Sequence, residues 1–277
     1  MTRAGDAELR GRNRIRSYRE LVRFPLQYGL AARLFRDYAR DSSAGNIMLL
    51  RHDVDHSLDN ATMLAEIDAA LGIASTFFML PPGDYNKTEN YYGRIVDGQI
   101  RHAPGFFERC RAIAAMGHEI GIHNDFVQLS YLTRRPIFDL LREELAAFAE
   151  AGIAVAGTAA HGSRFARDHD LVNYEIFHGA AAARKTVGRT VVADDWSATL
   201  HEIELGSLGL LYEAYRLPRN LDFSDSGSAV RLSSRLRQHK SLDFVADEDF
   251  RVFGDALAEI PEPRLVMLVH PCWWSAL

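Results

Sequence analysis

The chain has 277 residues, of which 47% are hydrophobic and 25% charged, so it can bury a sizeable core and has the length of one α/β barrel domain. The 32 lysines and arginines against 37 aspartates and glutamates give a formal net charge of −5. This charge argues against a general nucleic-acid binder, because no positive excess is present to neutralise phosphates.

The first 24 residues are rich in arginine, and no apolar stretch follows them as it would in a secretory signal. No apolar run of the roughly 18 residues needed to span a membrane occurs anywhere in the sequence. A basic segment of this kind can touch a membrane surface or an acidic partner, but a solvated first helix at the bottom of a barrel is the favoured interpretation. Without a signal we expect a cytoplasmic protein.

Apolar patterns along the chain alternate between two periods. Short apolar or β-branched runs predict strands at 47–50, 75–80, 119–122, 153–156, 185–192, 221–223 and 264–269. Apolar residues at helical spacing predict helices at 59–71, 106–116, 137–151 and 246–260. Segment 81–100 contains prolines, asparagines and two tyrosines, which predicts a long loop of the kind that often forms a lid or a binding loop.

Strands and helices in alternation predict parallel β/α units wrapped into a sheet or barrel. We expect a single domain over residues 1–277, with its core at about 46–277 and a helical extension at 1–45. The two cysteines, Cys110 and Cys272, lie far apart, which favours reduced thiols, although one disulfide stays open.

Clusters of ionisable residues follow four of the predicted strands, at or shortly after their carboxyl ends. The clusters are Arg51-His52-Asp53-Val54-Asp55-His56, His123-Asn124-Asp125, His161-Gly162-Ser163 and His270-Pro271. A β/α barrel carries its active site at this edge. Carboxylates and imidazoles from separate strands can bind a divalent ion, while a further carboxylate and a histidine can serve as base and acid. The sequence therefore contains the groups needed to hydrolyse an amide or an ester.

Several of these stretches have counterparts in a known family. The acidic stretch at 51–55, the run Gly117-His118-Glu119-Ile120-Gly121-Ile122-His123 and the closing Leu268-Val269-His270 resemble motifs of the polysaccharide deacetylases, the NodB-homology group of carbohydrate esterase family 4. The resemblance spans residues 51–270 and implies a distorted, seven-stranded (β/α) barrel. It also implies a metal-dependent hydrolase that removes the acetyl group from an N-acetylated sugar or polysaccharide precursor. Stretches at 161–162, 223–227 and 270–274 resemble a branch associated with surface-polysaccharide or O-antigen assembly.

The resemblance implies roles for four residues in particular. Asp53 is the expected base and His270 the expected general acid, while Asp55 and His123 are the expected ligands of one divalent metal ion, zinc or a similar first-row metal. The alternative for the acidic pair is that only one of Asp53 and Asp55 is functional and that the other is a turn residue.

The motif leaves the third metal ligand open, because Val127 occupies the position of the family's second histidine. Asp125 is the first candidate, since residues i and i+2 of an extended segment face the same way as each other. His56 and His161 are its rivals. The other interpretation of Asp125 is a helix cap.

Four residues are candidates for contact with the sugar: His161, Arg164, Asp225 and Trp273. Arg164 stands near the place of an arginine motif that this chain otherwise lacks. Asp225 is also a carboxylate that could orient the acid or the base, and Trp273 either stacks on a sugar or packs the C-terminus. His118 is expected to be structural, and His52 is expected to form hydrogen bonds to residues of the site rather than to be a ligand.

Two other functions stay open. A hydrolase of other C–N bonds, such as those of cyclic ureides, uses the same fold. A glycan-binding protein without activity is favoured by the missing second histidine and opposed by the presence of Asp53, His123 and His270.

Overall fold

The structure is a computed structural model that describes residues 5–10, 15–83, 90–179, 189–234, 238–240 and 247–277. Its helices α1 to α8 are Tyr18–Arg23, Phe35–Arg40, Leu58–Ala70, Phe106–Ala115, Phe126–Thr133, Ile137–Glu150, Arg164–Asp168 and Asp247–Glu259. Short 3-10 helices occupy Phe24–Tyr28, Asn173–Ile176, Leu205–Leu208, Ala214–Arg216, Ser226–Ser228 and Pro271–Trp273. Among the described helices, none combines the length and the apolar character that crossing a bilayer requires.

The described strands, β1 to β16, have two to eight residues, and the longest is β3. They are Ala7–Leu9, Ala31–Ala32, Ile47–Val54, Thr76–Met79, Gly93–Val96, Gln99–His102, Glu119–Asn124, Gly157–Ala160, Thr190–Ala193, Trp196–Thr199, Tyr212–Glu213, Leu221–Ser224, Arg231–Ser234, Gln238–Lys240, Arg264–Val269 and Trp274–Ala276.

One main sheet contains the strands in the order β11-β8-β7-β4-β3-β15-β12-β13-β14, with β2 also paired to β3. The pairs β11·β8, β7·β8, β15·β3 and β12·β15 are parallel, whereas β12, β13 and β14 pair antiparallel. The expected mixed α/β fold is therefore confirmed. The described sheet has ten strands, nine of them in an order with two ends, so a closed barrel of seven strands stays a prediction.

The contacts of the chain group it into two compact units. The first unit contains residues 1–77, 112–119 and 218–277. Its core packs α1, α3 and α8 against the apolar side chains of β3, β12 and β15. All eight residues of β3 are buried, as expected for a parallel strand that is covered on both faces.

The second unit contains residues 78–111 and 120–217. Its parallel strands β7, β8 and β11 are accompanied by α5, α6 and the hairpins β5–β6 and β9–β10. Strand β8 requires a residue without a side chain at Gly157, because a Cβ there would lie 2.3 Å from the Tyr212 ring. The glycine therefore allows the Tyr212 ring of β11 to pack directly against the backbone of β8.

Several predicted elements agree with the structure, and others need correction. The strand predicted at 264–269 is β15, and the helix predicted at 137–151 is α6. A strand at 153–156 is wrong, since β8 begins at Gly157 and consists of small residues that give little strand signal. The strand predicted at 185–192 is described only as Thr190–Ala193, because residues 185–188 lie outside the described residues.

The segments predicted as a loop and as a helical extension also differ from expectation. Segment 81–100 contains strand β5 and the first half of β6, and the Asp97-Gly98 turn of this hairpin has positive φ at both residues. Its residues 84–89 lie outside the described part of the chain. The region 1–45, expected to be helical, contains strands β1 and β2 as well as α1 and α2, and its residues 1–4 and 11–14 lie outside the described part too.

Candidate metal centre

Three buried side chains are close enough to hold a metal ion, namely Asp55, His123 and His161. Each offers one ligand atom, and these atoms all lie within 4.8 Å of one another. One carboxylate and two imidazoles are the donor set of many catalytic sites for zinc and similar divalent ions. Three protein ligands also leave a coordination position for water or substrate. The three side chains could therefore hold a divalent metal ion.

The membership of this group differs from the expected ligand set in one place. Asp55 and His123 are the ligands expected from the sequence, but the third member is His161 rather than Asp125. The sequence predicts His161 as a sugar-binding residue and offers it as a rival ligand. The other rival, His56, is exposed and is not a member.

The imidazole of His123, on strand β7, is oriented by a contact with the neighbouring strand β8. All six residues of β7 are buried, and His123 Nδ1 lies 2.9 Å from the Ala159 carbonyl oxygen on β8. A carbonyl only accepts hydrogen bonds, so Nδ1 carries the proton and the lone pair of the neutral ring is on Nε2. Histidine ligands are commonly oriented by a contact of this kind on the other nitrogen.

A buried arginine holds the carboxylate of Asp53. Arg51 Nε and Nη2 donate to the two oxygens of Asp53, at 2.9 and 2.6 Å, and both side chains are buried. Side chains two residues apart on a strand lie on the same face, which makes this bidentate pair possible. The carboxylate expected to act as base therefore has one fixed orientation. Arg51 lies directly after the apolar run that predicts strand β3, so the sequence does not indicate the pair.

Asp225 contacts His270 rather than lying apart from it. His270 Nδ1 lies 2.6 Å from Asp225 Oδ1, the backbone N–H of His270 donates to both oxygens at 3.0 Å, and Trp274 Nε1 donates to Oδ2 at 3.0 Å. Burial alone would lower the pKa of His270, but the carboxylates of Asp225, Asp55 and Asp53 raise it to about 9. Of the two roles considered for Asp225, orientation of the histidine agrees with these contacts.

The raised pKa of His270 predicts a pH-dependent stability of the metal-free protein. The proton stabilises the folded state fully below the ordinary histidine pKa of about 6.5, and this contribution is lost as pH rises to about 9. The difference corresponds to roughly 3 kcal/mol at most. We expect urea unfolding of the chelator-treated protein to show a free energy that falls between these pH values. His270→Gln should flatten this dependence, whereas His178→Gln, at an exposed histidine, should not. Equal slopes in all three proteins would contradict the assignment.

The histidines at positions 52 and 118 belong to a buried hydrogen-bond network. His52 Nε2 lies 2.9 Å from Asp68 Oδ2, Tyr18 donates to Asp68 Oδ1 at 2.8 Å, and Ser75 donates to Asp68 Oδ2 at 2.8 Å. His118 contacts Ser75 and the Ala65 carbonyl, and burial lowers the pKa of its imidazole. These buried contacts indicate that His52 and His118 stabilise the fold.

Arg164 and Trp273 lie outside the buried group of potential ligands. The Arg164 side chain is 81% exposed, pairs with Asp168 at 3.2 Å and lines a surface cleft of about 550 Å³. Trp273 is half-buried and packs against the core of the first unit. Contact of either residue with a sugar stays a prediction.

No family model matches this sequence, and no curated protein sequence matches it. The function of the chain therefore has to be inferred from its own residues.

Proposed function

We propose that this chain is a metal-dependent hydrolase that removes the acetyl group from an N-acetylated sugar or polysaccharide precursor during surface-polysaccharide (O-antigen) biosynthesis. The main support is the buried group formed by Asp55, His123 and His161. With it we propose the finer architecture that the resemblance implies, a distorted seven-stranded (β/α) barrel. We also propose a cytoplasmic setting, in which the substrate is an activated or lipid-linked glycan.

A divalent ion held by these three side chains would polarise the acetyl carbonyl and lower the pKa of a water molecule. Asp53 would accept the proton of the attacking water, because its carboxylate is an acceptor held in place by Arg51. The amide carbon would gain the water oxygen and lose the sugar nitrogen, so that acetate and a free amine result.

His270 would donate a proton to the leaving amine. In the metal-free protein the pKa of His270 is raised to about 9, and the Asp225 carboxylate, which is the largest cause that raises it, would favour the protonated imidazole in the loaded enzyme too. Asp225 keeps the ring in one orientation through Nδ1, so that Nε2 would be the nitrogen that donates. His270 would thus be the general acid, and Asp225 would be the carboxylate that orients it.

The proposal predicts a specific product. Purified protein loaded with zinc, manganese or cobalt should release acetate from at least one class of N-acetylated sugar, tested as free sugars, short oligomers, nucleotide-activated sugars and lipid-linked sugars. A cyclic ureide is the matched comparison, because its hydrolysis would favour the other C–N hydrolase. Saturable binding of a glycan with no acetate release from any class would favour a glycan-binding protein and contradict the proposal.

A further inference from the structure

Asp125 has an unusual set of contacts for a residue at the start of a helix. It is the N-cap residue of α5, yet its side chain makes no capping hydrogen bond. The Phe126 backbone N–H instead donates to Asn124 Oδ1 at 3.2 Å. Helix capping, the alternative role for this aspartate, therefore does not account for the direction of its carboxylate.

The carboxylate of Asp125 is held by donors from two other segments. Its Oδ1 accepts hydrogen bonds from Ser163 Oγ at 2.9 Å and from Asn173 Nδ2 at 2.8 Å. The same Asn173 amide donates to the His161 backbone carbonyl at 2.8 Å. The backbone carbonyl of Asn173 in turn accepts a hydrogen bond from Asn124 Nδ2 at 2.9 Å. All five residues are buried. The position of Oδ1 is thus fixed, and Oδ2 is left to face the imidazole of His161.

His161 Nδ1 lies 3.1 Å from Asp125 Oδ2. An ionised carboxylate has no hydrogen to donate, so the proton of this contact is on Nδ1 and the lone pair of the neutral ring is on Nε2. His123 has the same tautomer through the Ala159 carbonyl. Both imidazoles of the metal group therefore present the same nitrogen.

We propose that Asp125 is a positioning residue that fixes the tautomer and the orientation of His161 for metal binding, and that it is not itself a ligand. This inference rests on the metal site of the proposed function. It replaces our expectation that Asp125 would be the third ligand. A carboxylate behind a histidine ligand also makes the imidazole more basic, which strengthens its bond to a metal.

The substitution Asp125→Asn separates these roles because it keeps the shape of the side chain and replaces one acceptor oxygen by an NH2 donor. Ser163 and Asn173 both donate to Oδ1, so the amide oxygen is expected at that position and the amide NH2 opposite His161. Nδ1 would then accept a hydrogen bond, the ring proton would move to Nε2, and the nitrogen needed for the metal would be blocked. The loss of activity caused by an analogous tautomer change in a catalytic triad follows the same logic.

The test has two readouts that need no substrate. In metal-free protein, ¹⁵N NMR of the histidine rings should find the proton of wild-type His161 on Nδ1 and that of the Asp125→Asn variant on Nε2. Competition with a chromogenic chelator should find zinc affinity lowered roughly 10- to 100-fold or more in the variant. Asp139→Asn removes the same charge from an exposed site on α6 and should leave both readouts unchanged.

Three results would overturn the inference. A wild-type His161 with its proton on Nε2 would do so, even if the variant failed to fold. Wild-type zinc affinity in folded Asp125→Asn would do so as well. Loss of zinc from that variant with an unchanged His161 tautomer would mean that Asp125 is a ligand. Zinc binding as expected without acetate release from any sugar would instead contradict the proposed function alone.

Discussion

Replacement of Asp55 and His123 together by alanine should abolish both metal binding and acetate release. The double variant keeps only His161 of the three clustered donors, and a single imidazole cannot hold a divalent ion at ordinary concentrations. Turnover should fall to the uncatalysed background, which for an enzyme means a loss of roughly 10⁶-fold or more. Elemental analysis of the purified protein and an acetate assay give the two measurements.

A matched control for this double variant exists close by in the chain. His56 and Asp59 have the same residue types and are exposed, so the His56→Ala/Asp59→Ala variant should keep metal and activity. Full metal occupancy in the Asp55→Ala/His123→Ala protein would contradict the assignment. Circular dichroism of both variants separates the loss of a ligand from the loss of the fold.

Replacement of His270 by alanine should leave the metal in place and slow turnover by roughly 10²- to 10⁴-fold, as expected for the loss of a general acid. His270 contacts Asp225, which also accepts a hydrogen bond from Trp274, and His270 is not a member of the metal group. Its removal takes away the proton donor of the leaving amine without removing a ligand. The measurement is kcat at saturating metal, together with the metal content of the same sample.

The outcome at His270 distinguishes three roles. Loss of metal from His270→Ala would make this histidine a ligand, and full activity would make the resemblance of Leu268-Val269-His270 to the family motif a coincidence. Substrates with a better leaving group than an amine, such as an O-acetyl ester, should lose less in this variant because they need less help from an acid. An equal loss for amide and ester would contradict proton donation as its role.

Asp55 and His123 could be predicted as metal ligands because each lies in a recognisable motif next to a strongly apolar strand. The third member of the metal group was harder, because it depends on where β8 lies. The sequence predicted that strand at 153–156, where the apolar residues are. In the structure β8 is Gly157–Ala160, so His161 directly follows this strand. The parallel register of β8 with β7 pairs His123 with Ala159, two residues before His161. An error of four residues in one strand therefore made Asp125 look better placed than His161.

The partners of Asp53 and Asp125 could not be predicted, for a different physical reason. The pairing of Arg51 with Asp53 needs the strand to continue through both residues, whereas the apolar signal of that strand ends at Leu50. Asn173 reaches Asp125 from 48 positions away along the chain, and nothing local in the sequence marks such a contact. Periodicity predicts which elements form, but the buried polar network that orients a site depends on tertiary packing.

A metal titration followed by the acetate assay in the same sample tests most directly the central claim, that this chain is a metal-dependent deacetylase. Metal-free protein should regain acetate release in proportion to the zinc or manganese added, up to one ion per chain, and excess chelator should reverse the gain. The His123→Ala protein should regain nothing at the same concentrations. Acetate release that is unchanged by removal of the metal, or metal bound at one ion per chain with no release from any N-acetylated substrate, would contradict the central claim.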